Sequence, residues 1–510
     1  MVAATIDAID VQALSALSAT EQLLLQLASV VYEPVSAGFL ARCINALAPH
    51  FLGDLRPTGD EISETVVRLR RKGFLNGKNQ CPPPLAEVLT RQAVATDRFP
   101  QLAALVERAA PVDYMHGKWP TRCWRALRQF RIGLYSQDFD KLDESLIFLE
   151  GDGKKYLETE PPAVLVAARS FDPQWFRELP GSFQFFLLDQ VVRYSLERLH
   201  HFPAVLAYLQ DEQIQSVPPD ERVPFRRLLA SCWLLQGRFD DLRRLLAEHS
   251  DSFMGSGFAG AVAFLSGETD AALELFAEDL RHMRQYAGDG PCFFFGVTGL
   301  FCVFALLARD GEGDRDRVRE AVETVLKRCN GCPEEIPFRF IGAVLCSPDD
   351  VLPDMLALTE GLAADKRSLT SLVAMLSLHW MGVEIPADFQ GILHTLYAQA
   401  IESGFQWVAM EAAELLATLD GEQQAMKQAA TELAATLQCR YLTHIIAPHA
   451  TWKHSLQELI EVTSRIRDPD SGSIRGVPPT LHTFSADGIG NAAMLVNVQE
   501  HRHRIADAAV

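Results

Sequence analysis

The sequence predicts an all-α fold: an irregular α-solenoid of degenerate helical hairpins, preceded by a small helical domain. Three observations predict it. A short phrase recurs with variations: apolar helix, Gly or polar turn, bulky residue, Asp, second amphipathic helix. Its clearest copy is Leu234-Leu235-Gln236-Gly237-Arg238-Phe239-Asp240-Asp241-Leu242, and a second runs Phe264-Leu265-Ser266-Gly267-Glu268-Thr269-Asp270-Ala271-Ala272-Leu273. Weaker echoes lie at Leu134–Leu142 and Leu199–Leu206. Apolar residues keep helical spacing from about residue 96 to 460, and 510 residues exceed what one compact core usually holds. A helix–turn–helix phrase of this kind is tetratricopeptide-like, and stacked hairpins make binding surfaces more often than active sites.

Residues 1–19 read as an N-terminal arm without the basic start of a secretory signal. Residues 20–95 read as a winged-helix-like domain. Thr20-Glu21 opens a helix carrying Leu23, Leu24, Leu27, Val30 and Val31. A second is expected from Ser36 through Leu47, ending before Pro49. A third covers Ile62 to Lys72 and is closed by Gly73. Phe74-Leu75, the turn Asn76-Gly77-Lys78, then Cys81 and Pro82 are expected to form strand, wing and return strand, giving three helices and a hairpin.

Residues 96–462 form the expected solenoid. In Thr121–Tyr135, Cys123, Leu127, Phe130 and Leu134 mark one apolar face, while Arg122, Arg125, Arg128 and Arg131 take the flanks. These arginines, with Trp119 and Trp124 nearby, spiral around the helix, and pairing with acidic residues of the same chain is their expected role. Further turns fall at Gly311-Glu312-Gly313, Asn330-Gly331, Gly382 and Gly404. The landmarks Phe139, Phe202, Phe239 and Thr269 are 63, 37 and 30 residues apart, a period too irregular for a repeat count. Phe239, Leu242, Leu245, Leu265, Leu273 and Phe276 are the expected core anchors. Past residue 463, helix breakers such as Pro469, Pro478 and Pro479 predict a mobile tail over 463–510.

A net charge of -19 sets the chain as a whole against nucleic acid and anionic membranes. Ten cysteines scattered through apolar stretches read as buried thiols of a reducing compartment, so a cytoplasmic protein is expected. Gly290–Ala308 carries no charge and is about the length of a membrane span. Pro291, Gly296, Gly299 and the lack of basic flanks favour a buried solenoid helix instead, so no membrane partner is expected.

The chemical motifs are weak. Gly255-Ser256-Gly257-Phe258-Ala259-Gly260 matches the dinucleotide fingerprint in letters, but a helix, not a strand, precedes it, so a Gly-rich turn between repeats is expected. Gly151-Asp152-Gly153-Lys154-Lys155 lacks the first Gly and the Ser/Thr of a phosphate loop. Cys329-Asn330-Gly331-Cys332, with Cys346 as a third sulfur, falls short of a closed zinc site. His200-His201, His444 with His449, and His501 with His503 lack partners at metal-site spacing. No catalytic residue, metal site or cofactor is therefore expected. The most interesting polar cluster is Arg68, Arg70, Arg71 and Lys72, on the helix that would enter a major groove in a DNA-binding winged helix. Between residues 60 and 95, six Lys/Arg oppose four Asp/Glu, a locally positive segment in an acidic chain.

The order of elements resembles a known arrangement. The winged-helix-like start, the degenerate repeats with Phe171-Asp172-Pro173-Gln174-Trp175-Phe176-Arg177-Glu178-Leu179-Pro180, and the closing Trp452-Lys453-His454-Ser455-Leu456-Gln457-Glu458-Leu459 are similar to the long N-terminal region of certain bacterial Swi/Snf-type helicase-like ATPases. In that family a helical-repeat region precedes an ATP-driven DNA translocase. The resemblance covers residues 20 to about 460, while the Walker A loop, the DExH-type Walker B and the arginine finger of the motor have no counterpart here. It implies a motorless module, either a split subunit or a chain shortened near residue 463. Signal-transducing ATPases of the regulator type also place a winged helix before helical repeats, though after a nucleotide-binding domain that this sequence lacks. The expected function is a non-enzymatic scaffold or regulatory module that docks a DNA-acting helicase-like ATPase or another protein partner through the solenoid. The alternative is a transcription regulator whose winged helix binds DNA while the repeats sense a ligand or protein.

Overall fold

A computed structural model describes residue 14 and residues 16–445, apart from 53–56, 151–159, 212–216, 219–221, 288–291, 295, 312, 330–334, 347, 365–366, 384, 386 and 419–422. The expected arm before residue 14, the expected tail and the Trp452–Leu459 motif lie outside the described residues. Among the described residues the fold is all-α, with no strand. The chain divides into two compact units: residues 1–191 with 202–217, and residues 192–201 with 218–510.

The first unit opens with α1 (Ala19–Val31), α2 (Ala37–Phe51) and α3 (Gly59–Arg71), followed by α4 (Pro83–Ala95) and α5 (Phe99–Ala109). Helices α1 and α3 begin alike. Ser18 and Thr58 each accept the backbone N–H three residues on, and Glu21 and Glu61 reach back to the cap. Each capping box satisfies two orphan helix donors. The hairpin α6 (Trp119–Tyr135) and α7 (Phe139–Glu150) comes next, then a π-helical turn at Val164–Ala168, α8 (Pro173–Glu178), the first part of α9 (Gly181–Arg198), and α10 (Pro203–Gln210). Helix α1 packs on α2, α4, α5 and α6, so helices on either side of residue 95 share one core. Leu23, Leu27 and Val30 of α1, Leu85 and Leu89 of α4, Leu102 and Val106 of α5 and Phe130 of α6 are all buried.

Two local expectations fail here. Helix α2 runs through Pro49 to Phe51; a proline so near a helix end removes a single intrahelical bond. The strand–wing–strand hairpin does not form. The Asn76 side chain accepts the N–H groups of Lys78 and Gln80, closing a tight turn, and Pro82 and Pro83 have no N–H to give a ladder. The segment is tied to the end of α1 instead: Val35 N donates to Lys78 O, Asn79 Nδ2 to Val35 O, and Gln80 Nε2 to Tyr32 O.

The second unit contains α11 (Val223–Gln236), α12 (Phe239–Glu248), α13 (Ser250–Phe253), α14 (Phe258–Leu265), α15 (Thr269–Ala287), α16 (Gly296–Arg309), α17 (Asp314–Arg328) and α18 (Glu335–Ala343). It continues with α19 (Pro348–Ala364), α20 (Ser368–Trp380), α21 (Ala387–Glu402), α22 (Gln406–Ala417) and α23 (Gln423–Leu437). The six expected core anchors are all buried. Most helices pack on chain neighbours, as stacked hairpins do, but α11 also packs on α22. Helix α16, from the uncharged stretch, is buried from Thr298 through Leu307. Phe301 meets Trp407 at 5.1 Å between ring centroids and Phe304 meets Trp380 at 5.5 Å. No helix of the described residues is long and apolar enough to cross a membrane.

The recurrent phrase corresponds to one hydrogen-bonded turn. At Gln137, Leu199, Gly237, Gly267, Gly382 and Gly404 the backbone turns left-handed. The next N–H then bonds back five residues: Asp138 to Gly133, His200 to Ser195, Arg238 to Trp233, Glu268 to Ala263, Val383 to Leu378 and Phe405 to Ala400. This is the Schellman closure, which satisfies the last carbonyls of one helix while aiming the chain into the next.

Candidate functional site

The four basic residues of the expected nucleic-acid contact lie together in the last turn and C-cap of α3, all exposed. That position is partly explained by the helix itself, because cations offset the partial negative charge of its C-terminal end. Arg68 donates to Thr65 Oγ1 at 2.9 Å and stands 3.6 Å from Glu21, and Lys72 stands 3.7 Å from the same carboxylate. Arg70 donates to Asn79 Oδ1 at 2.8 Å, and the Arg71 side chain is exposed. Burial raises the Glu21 pKa, but the Ser18 N–H and hydroxyl, Lys72 and Arg68 outweigh it and leave the carboxyl below its usual value. The first turn of α3 is acidic, with Asp60 and Glu61. The basic surface is thus the helix's C-terminal end with the neighbouring exposed Lys78.

The arginines of α6 have a different fate. Arg131 is fully buried and donates to Glu87 Oε1 at 2.8 Å, Ser29 O at 2.6 Å and Thr90 Oγ1 at 2.9 Å, with its guanidinium 4.1 Å from the Tyr32 ring centroid. The Tyr135 hydroxyl donates to the other oxygen of Glu87 at 2.8 Å. Burial opposes the Arg131 charge, yet Glu87 and the other partners offset it and hold the pKa above its ordinary value. Arg128, equally buried, donates to Glu33 Oε1 at 3.1 Å and to Ala110 O. Arg125 shares Glu33 and reaches Pro111 O. Arg122 lies over the Trp119 ring at 4.1 Å. Arg125, Arg128 and Arg131 join α4 and the segments that follow α1 and α5 to α6, and the donors of Arg128 and Arg131 are directed inward.

The Gly-rich turn at 255–260 carries its own anion. Asp279 on α15 accepts the N–H of Gly255 at 2.7 Å and of Gly257 at 2.8 Å. Both glycines have left-handed φ, +72° and +80°, which aims their amides at one carboxylate. Gly260 lets the Phe276 ring approach, since a Cβ there would meet it at 2.8 Å. The amides that a pyrophosphate would need are occupied from within.

Cys329 is buried at the end of α17, and the rest of its CxxC lies outside the described residues, as do Gly151–Lys155, His449, His501 and His503. His200 and His201 occupy the turn after α9. Among the described residues no three His, Cys, Asp or Glu side chains are grouped to hold a metal.

One polar cluster escaped sequence reasoning. On α22, Glu411 is fully buried and Glu414 nearly so, and both face residues 439–445, the segment after α23. Glu411 Oε1 accepts Leu442 N at 2.8 Å; its Oε2 accepts Thr443 N and Oγ1, each at 3.3 Å. His444 Nε2 meets Glu414 Oε1 at 2.5 Å. Burial pushes the Glu411 carboxyl up to about 8 against the pull of its three donors, and Glu414 adds to the rise. The only local signal was a pair of acids three apart in an otherwise apolar helix.

No family model matches the chain, and no curated protein or solved structure matches it.

Proposed function

We propose that this chain is a non-enzymatic scaffold or regulatory module: a tetratricopeptide-like solenoid with a small helical start that docks a DNA-acting, helicase-like ATPase or another protein partner. The observation that carries the reading is the packing of most helices on their chain neighbours through recurring Schellman turns, as helical hairpins of stacked-repeat binding proteins pack. The inward use of the α6 arginines and the Asp279-filled glycine turn supports it, since both features serve the fold. The motor as partner rests on the sequence resemblance alone. Its test is direct. The purified chain is mixed with the motor of a bacterial Swi/Snf-type helicase-like ATPase stripped of its own N-terminal helical region, then run by size exclusion in high salt. Co-elution supports the reading; separate elution at micromolar concentrations of both overturns the motor as partner.

A second reading, a transcription regulator, is favoured by one observation: Arg71, Arg70, Lys72 and Lys78 are exposed around one helix end. Base readout by this helix type uses its N-terminal residues, which here are acidic, so the contact would be with phosphates. Binding of a mixed-sequence duplex should then weaken steeply with salt, and Arg71→Ala should reduce the slope by about one. Binding indifferent to Arg70→Ala and Arg71→Ala together removes this reading.

A further inference from the structure

Of the large apolar side chains exposed among the described residues, Met115 (80%) and Ile147 (56%) are the two most exposed. They belong to one place. Tyr114 and Phe148, their chain neighbours, have ring centroids 5.3 Å apart, and the Trp119 ring lies nearly parallel to Phe148 at 6.0 Å. These rings fix the loop before α6 against the end of α7, and Met115 and Ile147 emerge beside them. The loop is closed by its own bonds: Asp113 Oδ1 accepts the N–H groups of Met115 at 2.9 Å and His116 at 2.8 Å. Met115 is therefore exposed on a formed turn.

The charge next to this apolar surface is positive. Helix α6 has Lys118 at its N-cap, no side chain caps it, and its first turn holds no acid. Arg122 follows one turn later. Its guanidinium stands 4.1 Å from the Trp119 ring centroid and 5.1 Å from that of Phe148, and its Nε is buried with no hydrogen-bond partner. Tyr114 Oη, in the same cluster, is also buried without one. Two cations thus occupy the helix end whose own partial charge is positive, where an anion stabilises and a cation costs. Of the acids close by, Asp113 is engaged by the loop amides, and the exposed Glu144 of α7 lies toward Tyr114. An incoming carboxylate is favoured at the start of α6, not over α7.

We propose that this surface docks a protein partner through a segment that sets an acidic side chain against Lys118 and Arg122 and an apolar one over Met115 and Ile147. The proposal rests on the reading of the chain as a protein-docking module and gives that module a contact within the first unit. Met, Tyr, Trp and Arg are the side chains that interfaces enrich, and Trp, Tyr and Arg carry much of their binding energy. The rings are already packed on one another, so docking orders little that was free. A carboxylate there would meet a guanidinium backed by aromatic faces and would offset the charge of the helix end.

The test uses the full chain with isotope-labelled methionine methyl groups, the Met115 signal being identified by Met115→Leu. The chain is titrated with a blocked peptide alternating glutamate and leucine, and with its glutamine-for-glutamate counterpart. The glutamate peptide should shift the Met115 methyl saturably and bind several-fold more tightly than the glutamine peptide, with a preference that fades in salt. Lys118→Gln with Arg122→Gln should abolish that preference. Ile147→Ser, at an exposed site, should weaken binding without lowering the melting temperature, which separates lost docking from a lost fold. No saturable shift, equal binding of the two peptides, or a preference that survives the double glutamine variant overturns the proposal. A Met115 shift that follows protein concentration without peptide would make a second copy the occupant, and overturns it too. The two readings fail separately. Co-elution with the motor that Met115→Ser with Ile147→Ser leaves unchanged overturns the patch and keeps the scaffold. Saturable, glutamate-selective peptide binding with separate elution of the motor upholds the patch and removes only the motor.

Discussion

The Arg131 guanidinium and the Glu87 carboxylate meet at 2.8 Å with both side chains out of solvent, 44 residues apart in the chain. Removing one partner leaves the other as an unpaired buried charge, which costs far more than the pair gains. Arg131→Ala should therefore destabilise the protein by about 3–5 kcal/mol, measured by chemical denaturation. Glu87→Leu combined with Arg131→Met should recover most of that loss. If the double variant is as unstable as Arg131→Ala, the guanidinium acts chiefly by packing on Tyr32.

Two helix-interior glycines should respond in opposite directions. A Cβ at Gly133 would meet backbone atoms of Leu142 at 2.8 Å and Asp138 at 3.0 Å, because the α6–α7 hairpin closes there. Gly133→Ala should cost about 1–3 kcal/mol. Gly391, exposed on α21 with open space around it, should gain about 0.5–1 kcal/mol on substitution by Ala. Equal effects at the two sites would mean that the tight hairpin is not what selects Gly133.

Asp279→Ala should release the amides of Gly255 and Gly257 and lower stability by about 1–2 kcal/mol. Asp279→Glu should not restore it, because the longer side chain cannot place both oxygens on the same two amides. A dinucleotide added in excess should leave the wild-type melting temperature unchanged. A rise on addition would reinstate a nucleotide site at this turn.

Glu21 gives stability a dependence on pH. Its folded pKa lies below the ordinary carboxylate value of 4.5, so its contribution is present above that value and disappears as pH falls through the folded pKa. Glu21→Gln should be less stable than wild type at pH 7, and the difference should vanish near pH 2. A difference that persists in acid would assign the effect to packing, not charge.

The helices and their turns were legible because they depend on residues close in sequence. Ser18 with Glu21, and Gly237 with Arg238 and Phe239, each specify a helix end within a few positions. The wing was misread for the same local reason, since Asn76 satisfies by itself the amides that a return strand would have paired. The α6 arginines were legible as residues that pair within the chain, but not as fully buried ones, because Glu33 and Glu87 lie far upstream. The pairing of α11 with α22 and the placement of residues 439–445 depend on contacts far apart in sequence, such as Arg440 with Leu265. Glu411 in a single sequence is an ordinary helix-favouring residue; only tertiary packing makes it a buried acid.

The same arginines impose an order on synthesis. Glu87 leaves the ribosome 44 residues before Arg131, and Glu33 leaves 95 residues before Arg128. At about 5–20 residues per second, the earlier carboxylate waits on the order of ten seconds for its cation. Until then closing α1 on α4 would bury Glu87 without its cation, which disfavours early burial of their leucines. The nascent chain is most open to chaperones, and to aggregation, during that interval.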